Sequence, residues 1–240
     1  MLDYIDVCSL VQKKHENLIK NYCSYLDCGW KHYQNNKIES SVRLKKTDLL
    51  EKAIRKEFPL PESLLAKLQK DFVKENLSLY LLLDVLPAWR YLAADRYPSS
   101  EEQLSELTNF AISPLGRMIL ALYDENPAAY HPLNSLLIMN FWMQLFISKS
   151  PVVSKVKLSK KQKESKLRGL LKNSVVLLNL LDSKRTKFRA AAAIKKSELM
   201  LNKFKNNEQI KLTILDKIRV FLYSFAMFLA AGKRTIYSKR

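Results

Sequence analysis

The 240-residue sequence has only 4 glycines and 8 prolines, and this scarcity argues against several classes of protein. A turn-rich β-sandwich or β-barrel uses many more residues of these types at its turns. No G-x-G-x-x-G or Walker pattern occurs, so the sequence does not support a glycine-rich phosphate loop of the Rossmann or P-loop kind. The composition favours a helical protein instead.

Long apolar runs are also missing, and the cysteines are few. The nearest candidate, 220–232, has about two-thirds of the ~20 residues that span a bilayer, so we interpret it as a core helix, with an interfacial helix as the alternative. Cys8, Cys23 and Cys28 are an odd number, and the acidic N-terminal segment does not resemble a signal peptide. We therefore predict a reducing, cytoplasmic location with free thiols. Cys23, Cys28 and His32 lack the fourth ligand of a zinc site.

Positive charge is concentrated in the second part of the sequence. Residues 149–240 contain 24 Lys and Arg against 5 Asp and Glu, whereas residues 1–148 contain 17 against 18. This asymmetry predicts a polyanionic partner, with a solvated lysine-rich surface as the alternative. An anionic membrane surface is favoured over nucleic acid, because lysine outnumbers arginine here and the aromatic residues follow helix-core spacing.

Helical periodicity recurs along the chain and predicts about eight helices joined by short loops. The residues that predict helix starts, by capping or as first-turn prolines, are Asp48, Ser99, Pro114, Pro132 and Ser159. Gly232 is predicted to follow the end of the last helix. The sequence therefore predicts one all-α domain over 1–240, with a strongly basic part from about residue 149.

Four short motifs follow one another within residues 88–142. They are Ala88-Trp89-Arg90, Arg96-Tyr97, Ser113-Pro114-Leu115-Gly116-Arg117 and Asn140-Phe141-Trp142. In this order they resemble the squalene/phytoene synthase family, and most closely its bacterial hopanoid-pathway branch. The resemblance implies a helical bundle of the trans-isoprenyl diphosphate synthase type. It also implies head-to-head coupling of two prenyl diphosphates at Mg²⁺ ions, which two aspartate-rich motifs hold.

Both aspartate-rich motifs are degenerate in this sequence. The resemblance places the second motif at Asn140, Gln144 and Ser148, where the family has aspartates at the last two positions. Mg²⁺ prefers charged oxygen ligands, so this face has kept its polarity but lost its affinity for the ion. The first motif has only Asp3 and Asp6 as a remnant, in a chain that the resemblance describes as N-terminally shortened; the alternative is that both stabilise a helix start. No metal site is predicted, and no cofactor is expected unless the protein is active, in which case it needs Mg²⁺.

Two further groups of residues have alternative interpretations. Three arginines either line a former diphosphate site or pair with acidic side chains between helices; they are Arg90, Arg96 and Arg117. Four aromatic residues either bound a prenyl cavity or form an ordinary core; they are Trp89, Tyr97, Phe141 and Trp142.

We therefore predict a family member with eroded catalysis that binds a prenyl lipid, a diphosphate or a protein partner such as an active paralogue. It is expected in the cytoplasm, or peripherally on the inner face of a membrane. The family includes members that act in respiratory complex I assembly without prenyl synthesis. The alternatives are an active Mg²⁺-dependent farnesyl transferase of squalene biosynthesis and, less favoured, a basic helical protein that binds nucleic acid.

Overall fold

The computed structural model describes residues 15–33, 38–55, 64–206 and 213–237, and within these ranges the chain is helical with no strand. The α-helices are α1 (Glu16–Tyr33), α2 (Ser40–Arg55), α3 (Leu64–Lys74), α4 (Tyr80–Leu83), α5 (Leu86–Ala93), α6 (Glu101–Tyr123), α7 (Tyr130–Ile147), α8 (Lys160–Val175), α9 (Leu177–Leu180), α10 (Lys184–Asn206) and α11 (Ile214–Tyr237). The predicted all-α fold class is confirmed. None of the helices in the described ranges is long and apolar enough to cross a membrane.

Helix α7 lies at the centre of the packing. Its residues 132–146 are buried with one exception, because the sequence of this helix is apolar on nearly every side. Helix α6 packs on one side of α7 and α8 on another, and α10 contacts both α7 and α8. At the N-terminal end, α1 packs against α3 and α5, and α5 leads back to α6. The last two helices, α10 and α11, lie along each other.

Some helix boundaries differ from those predicted. Helix α2 begins at Ser40 rather than at Asp48. Helix α6 is capped by Ser100 rather than Ser99, and the Ser100 hydroxyl accepts from the backbone N–H of Gln103. Pro114 lies inside α6 rather than in a first turn, since buried apolar residues on both sides keep that helix packed. The helix containing Gly232 also continues to Tyr237. In contrast, the capping box of Ser159 with Gln162 is confirmed.

The segment 220–232 is a helix, and among residues 220–228 only one face fits the predicted core: Ser224 is buried, and Tyr223 and Met227 pack against the core. Phe221 and Leu222 are each 58% exposed, and Phe225 is 45% exposed. The opposite side of this helix packs against α10, and at its edge the Phe221 ring meets Phe188 of α10 edge-on, with ring centroids 6.4 Å apart. Hydrophobicity predicted the helix correctly, but it could not show how many of its sides the fold covers.

Two buried tyrosines join α1 to α4. The Tyr22 hydroxyl donates to the Leu81 carbonyl oxygen at 2.7 Å, and the Tyr25 hydroxyl donates to the Leu82 carbonyl oxygen at 3.0 Å. Burial raises the pKa of both phenols well above the usual value, so both stay protonated as hydrogen-bond donors. These hydrogen bonds fix the position of α1 along its own axis relative to α4, which precedes α5 in the chain.

Arg43 joins the C-terminal ends of two helices. Its side chain is 1% exposed and donates to the carbonyl oxygens of Tyr33 at 2.8 Å and Leu92 at 3.4 Å. The same guanidinium forms an ion pair with Asp95 at 2.6 Å. Helix C-termini leave carbonyl groups without intrahelical donors, so one buried cation here satisfies acceptors of both α1 and α5.

The backbone of α1 at Gly29 lies directly against the Trp89 side chain of α5. The Trp89 side chain is 2% exposed, and its indole lies where a Cβ on residue 29 would be placed. The indole also packs edge-on against Tyr25, with ring centroids 4.8 Å apart, and beside Tyr33 at 5.5 Å. A glycine is required at position 29 because any side chain would overlap the indole.

We predict opposite effects for two Gly→Ala substitutions. Gly29→Ala should lower the free energy of unfolding by about 2–3 kcal/mol, because the methyl group overpacks against a rigid ring. Gly169→Ala, in the exposed middle of α8 where a Cβ meets nothing within 4 Å, should raise it by about 0.5–1 kcal/mol. Urea unfolding of both variants measures the two values. A Gly29→Ala variant as stable as Gly169→Ala would contradict the close approach.

Candidate functional site

The polar face predicted on α7 begins with a buried asparagine that links two helices. The Asn140 amide nitrogen donates to the Leu136 carbonyl oxygen at 2.8 Å, and its amide oxygen accepts from the Ser197 hydroxyl of α10 at 3.0 Å. Asn140 and Ser197 are both buried. The side-chain amide of Asn140 therefore makes one hydrogen bond within α7 and one that holds α7 to α10.

The other two residues of this face differ in environment. Gln144 is 7% exposed, and its Oε1 atom is buried without a hydrogen-bond partner among the residues that the structure describes. Ser148 lies at the exposed end of α7 and donates to the Leu145 carbonyl oxygen at 3.4 Å. The structure thus brings Asn140 and Gln144 into the interior and leaves Ser148 at the surface.

The described residues contain no group of three or more His, Cys, Asp or Glu side chains placed to hold a metal ion. Asp3 and Asp6 lie outside the described residues, as does Cys8. Cys23 and Cys28 are not joined in a disulfide. For residues 15–33, 38–55, 64–206 and 213–237, the donor set therefore does not match the hard, anionic oxygens that Mg²⁺ requires.

Two of the aromatic residues predicted to bound a prenyl cavity meet in the interior. Phe141 packs edge-on against Trp30 of α1, with ring centroids 4.9 Å apart, and Trp89 lies on the same small void. The void has a volume of only about 10 Å³. Ligand pockets occupy roughly 300–1,000 Å³, so side chains fill this part of the interior almost completely. The other residues that line the void are Leu26, Asp27, Ala111 and Ile112.

The other two aromatic residues lie apart from this void. Trp142 is buried and donates from Nε1 to the Thr108 hydroxyl of α6 at 3.0 Å. Tyr97 follows α5, is half-buried, and has the Lys155 ammonium 5.8 Å from its ring centroid. The structure therefore does not bring all four aromatic residues around one cavity.

Two of the three predicted arginines line a second cavity, on the outer side of α5 and α6. Arg90 forms ion pairs with Asp48, at 3.0 Å, and with Glu51, and Arg117 pairs with Asp84 at 2.6 Å. The hydrogen bond to Glu51 raises the pKa of Arg90 above its usual value. Arg96 is exposed in the turn after α5 and does not line this cavity. Sequence spacing could not predict these pairs, because each joins residues more than 30 positions apart.

This outer cavity has a volume of about 640 Å³, which is large enough for a ligand. Its lining includes Tyr130, His131 and Asn134 from the start of α7. Asn134 donates to the Asn109 amide oxygen at 3.4 Å, and within the described part of the chain its own Oδ1 atom is buried without a hydrogen-bond partner. An anionic ligand would have to displace carboxylates from Arg90 and Arg117, so the cavity is not a ready diphosphate site.

The fold is of the all-α isoprenyl diphosphate synthase type. Among solved structures, the chain is similar to a dehydrosqualene synthase in complex with ligand, with a TM-score of 0.63 and 14% sequence identity. The similarity covers 93% of this chain and 90% of that chain. No protein-family model matches the chain. No curated protein matches it either.

Several residues that shape the interior were missed by sequence reasoning. Gly29 and Arg43 carry no local signal, because their roles depend on Trp89 and Leu92 more than 45 residues away. Asn134 lies two residues after Pro132, in a helix start that was predicted only for its proline. A buried arginine or glycine reveals its function through tertiary contacts, which a single sequence does not contain.

We predict that restoring a carboxylate at position 144 destabilises the protein. At pH 7 the free energy of unfolding of Gln144→Asp should be about 3 kcal/mol lower than that of the matched control Gln144→Asn, because the aspartate places an unpaired charge in the interior. Burial should raise the folded-state pKa of this aspartate above its unfolded value, so the penalty is present above the folded pKa and fades as pH falls through it. Urea unfolding from pH 7 to pH 5 measures this. Equal stability of the two variants at pH 7 would show that position 144 tolerates a charge.

Proposed function

We propose that this protein is a non-catalytic relative of the squalene/phytoene synthase type, which uses the helical fold to bind a partner rather than to couple prenyl chains. The observation that carries the proposal is the filled interior. Trp30, Trp89 and Phe141 leave a void of about 10 Å³. Two prenyl chains need a cavity of at least several hundred Å³, so they do not fit beside these side chains.

The chemistry of the α7 face supports the same proposal. Coupling of prenyl diphosphates depends on metal ions that neutralise the leaving diphosphate. Gln144 and Ser148 offer only neutral oxygens, and the Asn140 amide oxygen already accepts from Ser197. Catalytic groups that act as a unit fail together, so one surviving amide does not retain part of the rate.

For the partner, we propose a protein, such as an active paralogue, bound while this chain lies on the cytoplasmic face of a membrane. Net charge of +18 favours fast association with an acidic partner or surface. The outer cavity beside Arg90 and Arg117 offers a second place for a polar ligand. Because both arginines in its lining are paired with carboxylates, the cavity favours a ligand that carries both hydrogen-bond donors and hydrogen-bond acceptors.

We expect no product from the isolated protein with farnesyl or geranylgeranyl diphosphate and Mg²⁺ or Mn²⁺. The assay follows radiolabelled substrate into squalene, dehydrosqualene, phytoene and presqualene diphosphate, and it measures released diphosphate. An active dehydrosqualene synthase run in parallel is the positive control. Metal-dependent diphosphate release at the roughly 1–1,000 s⁻¹ typical of enzymes would overturn the proposal.

A second measurement tests the filled interior itself. Farnesol should not raise the melting temperature of the unmodified protein, because the void beside Trp30, Trp89 and Phe141 is too small to receive it. Trp89→Ala should lower the free energy of unfolding by about 3–5 kcal/mol and open a cavity beside Phe141. Farnesol should bind in this cavity and raise the melting temperature of the variant. If farnesol instead stabilises the unmodified protein and Trp89→Ala abolishes the effect, the aromatic residues bound a prenyl site after all.

A further inference from the structure

Helix α11 has one face that the protein covers. On this side Asp216 and Ser224 are buried, and Asp216 forms an ion pair with Lys203 of α10 at 2.7 Å. The Tyr223 ring lies under the Lys195 ammonium, 5.5 Å from the ring centroid. These contacts fix the rotation of α11 about its own axis, and with it the direction in which the opposite face points.

The opposite face is an exposed apolar stripe. Six large apolar side chains on this side are between 45% and 77% exposed: Ile214, Leu215, Ile218, Phe221, Leu222 and Phe225. Their spacing of three and four residues places them along one side of the helix. Together they expose on the order of 600 Å² of apolar surface, at the upper end for the largest patch of a monomer.

Basic residues flank this stripe on both sides. At 100° per residue, Lys217 and Arg219 lie at opposite edges of the apolar stripe, and both are exposed. Arg219 also lies 3.9 Å from an Asp216 carboxylate oxygen, which is longer than the 2.7 Å between Asp216 and Lys203 and leaves Arg219 65% exposed to solvent. The part of the sequence from 149 to 240, which includes α11, carries 24 basic against 5 acidic residues. A second copy of this chain would bring the same positive charge to the interface, and two such surfaces repel each other.

We propose that α11 is a membrane-docking helix that lies flat on an anionic lipid bilayer. Its apolar stripe enters the boundary between headgroups and acyl chains, and Lys217 and Arg219 contact the anionic headgroups. Because the other face of α11 is packed on α10, the helix embeds only one side and stays parallel to the surface. This docking is independent of the proposed loss of catalysis, since vesicle binding and product formation are separate measurements.

Co-sedimentation with lipid vesicles tests the proposal. The unmodified protein should bind phosphatidylcholine vesicles that contain about a third phosphatidylserine, bind pure phosphatidylcholine weakly, and be released by high salt. The triple variant Ile218→Gln, Leu222→Gln, Phe225→Gln should bind at least about tenfold more weakly, because it removes buried apolar area. The matched control changes three exposed apolar residues of α2 and α3: Val42→Gln, Leu49→Gln and Val73→Gln. It should bind as the unmodified protein does.

A charge-matched pair separates local from general attraction. Lys217→Glu with Arg219→Glu should weaken binding to the anionic vesicles more than Lys161→Glu with Lys172→Glu, two exposed positions of α8, although the net charge changes equally. Circular dichroism and thermal unfolding of all variants check that each has folded.

Insertion depth provides a readout that electrostatic attraction alone does not produce. The native Trp30, Trp89 and Trp142 are all buried, so a tryptophan introduced by Leu222→Trp is the one at the proposed interface. Brominated lipids in anionic vesicles should quench its fluorescence, and should not quench a tryptophan introduced by Leu49→Trp.

Three results would overturn the proposal. The first is equal vesicle binding by the triple variant and the unmodified protein. The second is absence of lipid quenching at position 222 in vesicle-bound protein. The third is a stable dimer in analytical ultracentrifugation that the triple variant disrupts, since the stripe would then be covered by a second copy.

Discussion

The close contact between Trp89 and the backbone of Gly29 is the constraint on which the interior depends. It sets the distance between α1 and α5, and the indole then fixes the positions of Tyr25 and Tyr33. Arg43 secures the same junction at the helix ends by binding carbonyl groups of α1 and α5. With α1 held this close, Trp30 reaches Phe141 of α7, and the space between the helices is filled.

The filled interior and the neutral residues of α7 are physically coupled. In a site that holds a metal ion, buried carboxylates are compensated by the cation. Once side chains occupy that volume, a carboxylate loses its partner and becomes costly to bury. A neutral amide can remain in the same place: Asn140 does so through its bonds to Leu136 and Ser197. A neutral glutamine at position 144 therefore suits this packed interior better than a carboxylate would.

The sequence predicted the fold well and the site only in part. The order of motifs between residues 88 and 142 identified the fold type, and periodicity located α10 and the capped start of α8, because these signals are local. The same reasoning placed 220–232 in the core, since hydrophobicity does not tell which helix faces have neighbours. Of the two interpretations given for the arginines, pairing with acids describes Arg90 and Arg117, but their partners Glu51 and Asp84 are distant in sequence. A single sequence does not show which of its distant residues pair in the folded protein.

The two tyrosine hydrogen bonds of α1 have a consequence for synthesis on the ribosome. Their acceptors, Leu81 and Leu82, lie 59 and 57 residues after Tyr22 and Tyr25. At a translation rate of about 5–20 residues per second, several seconds pass between the synthesis of α1 and that of the residues that cover its tyrosines. During this delay the aromatic face of α1 is available to chaperones. Helices α10 and α11, which adjoin in the chain, pair without such a wait.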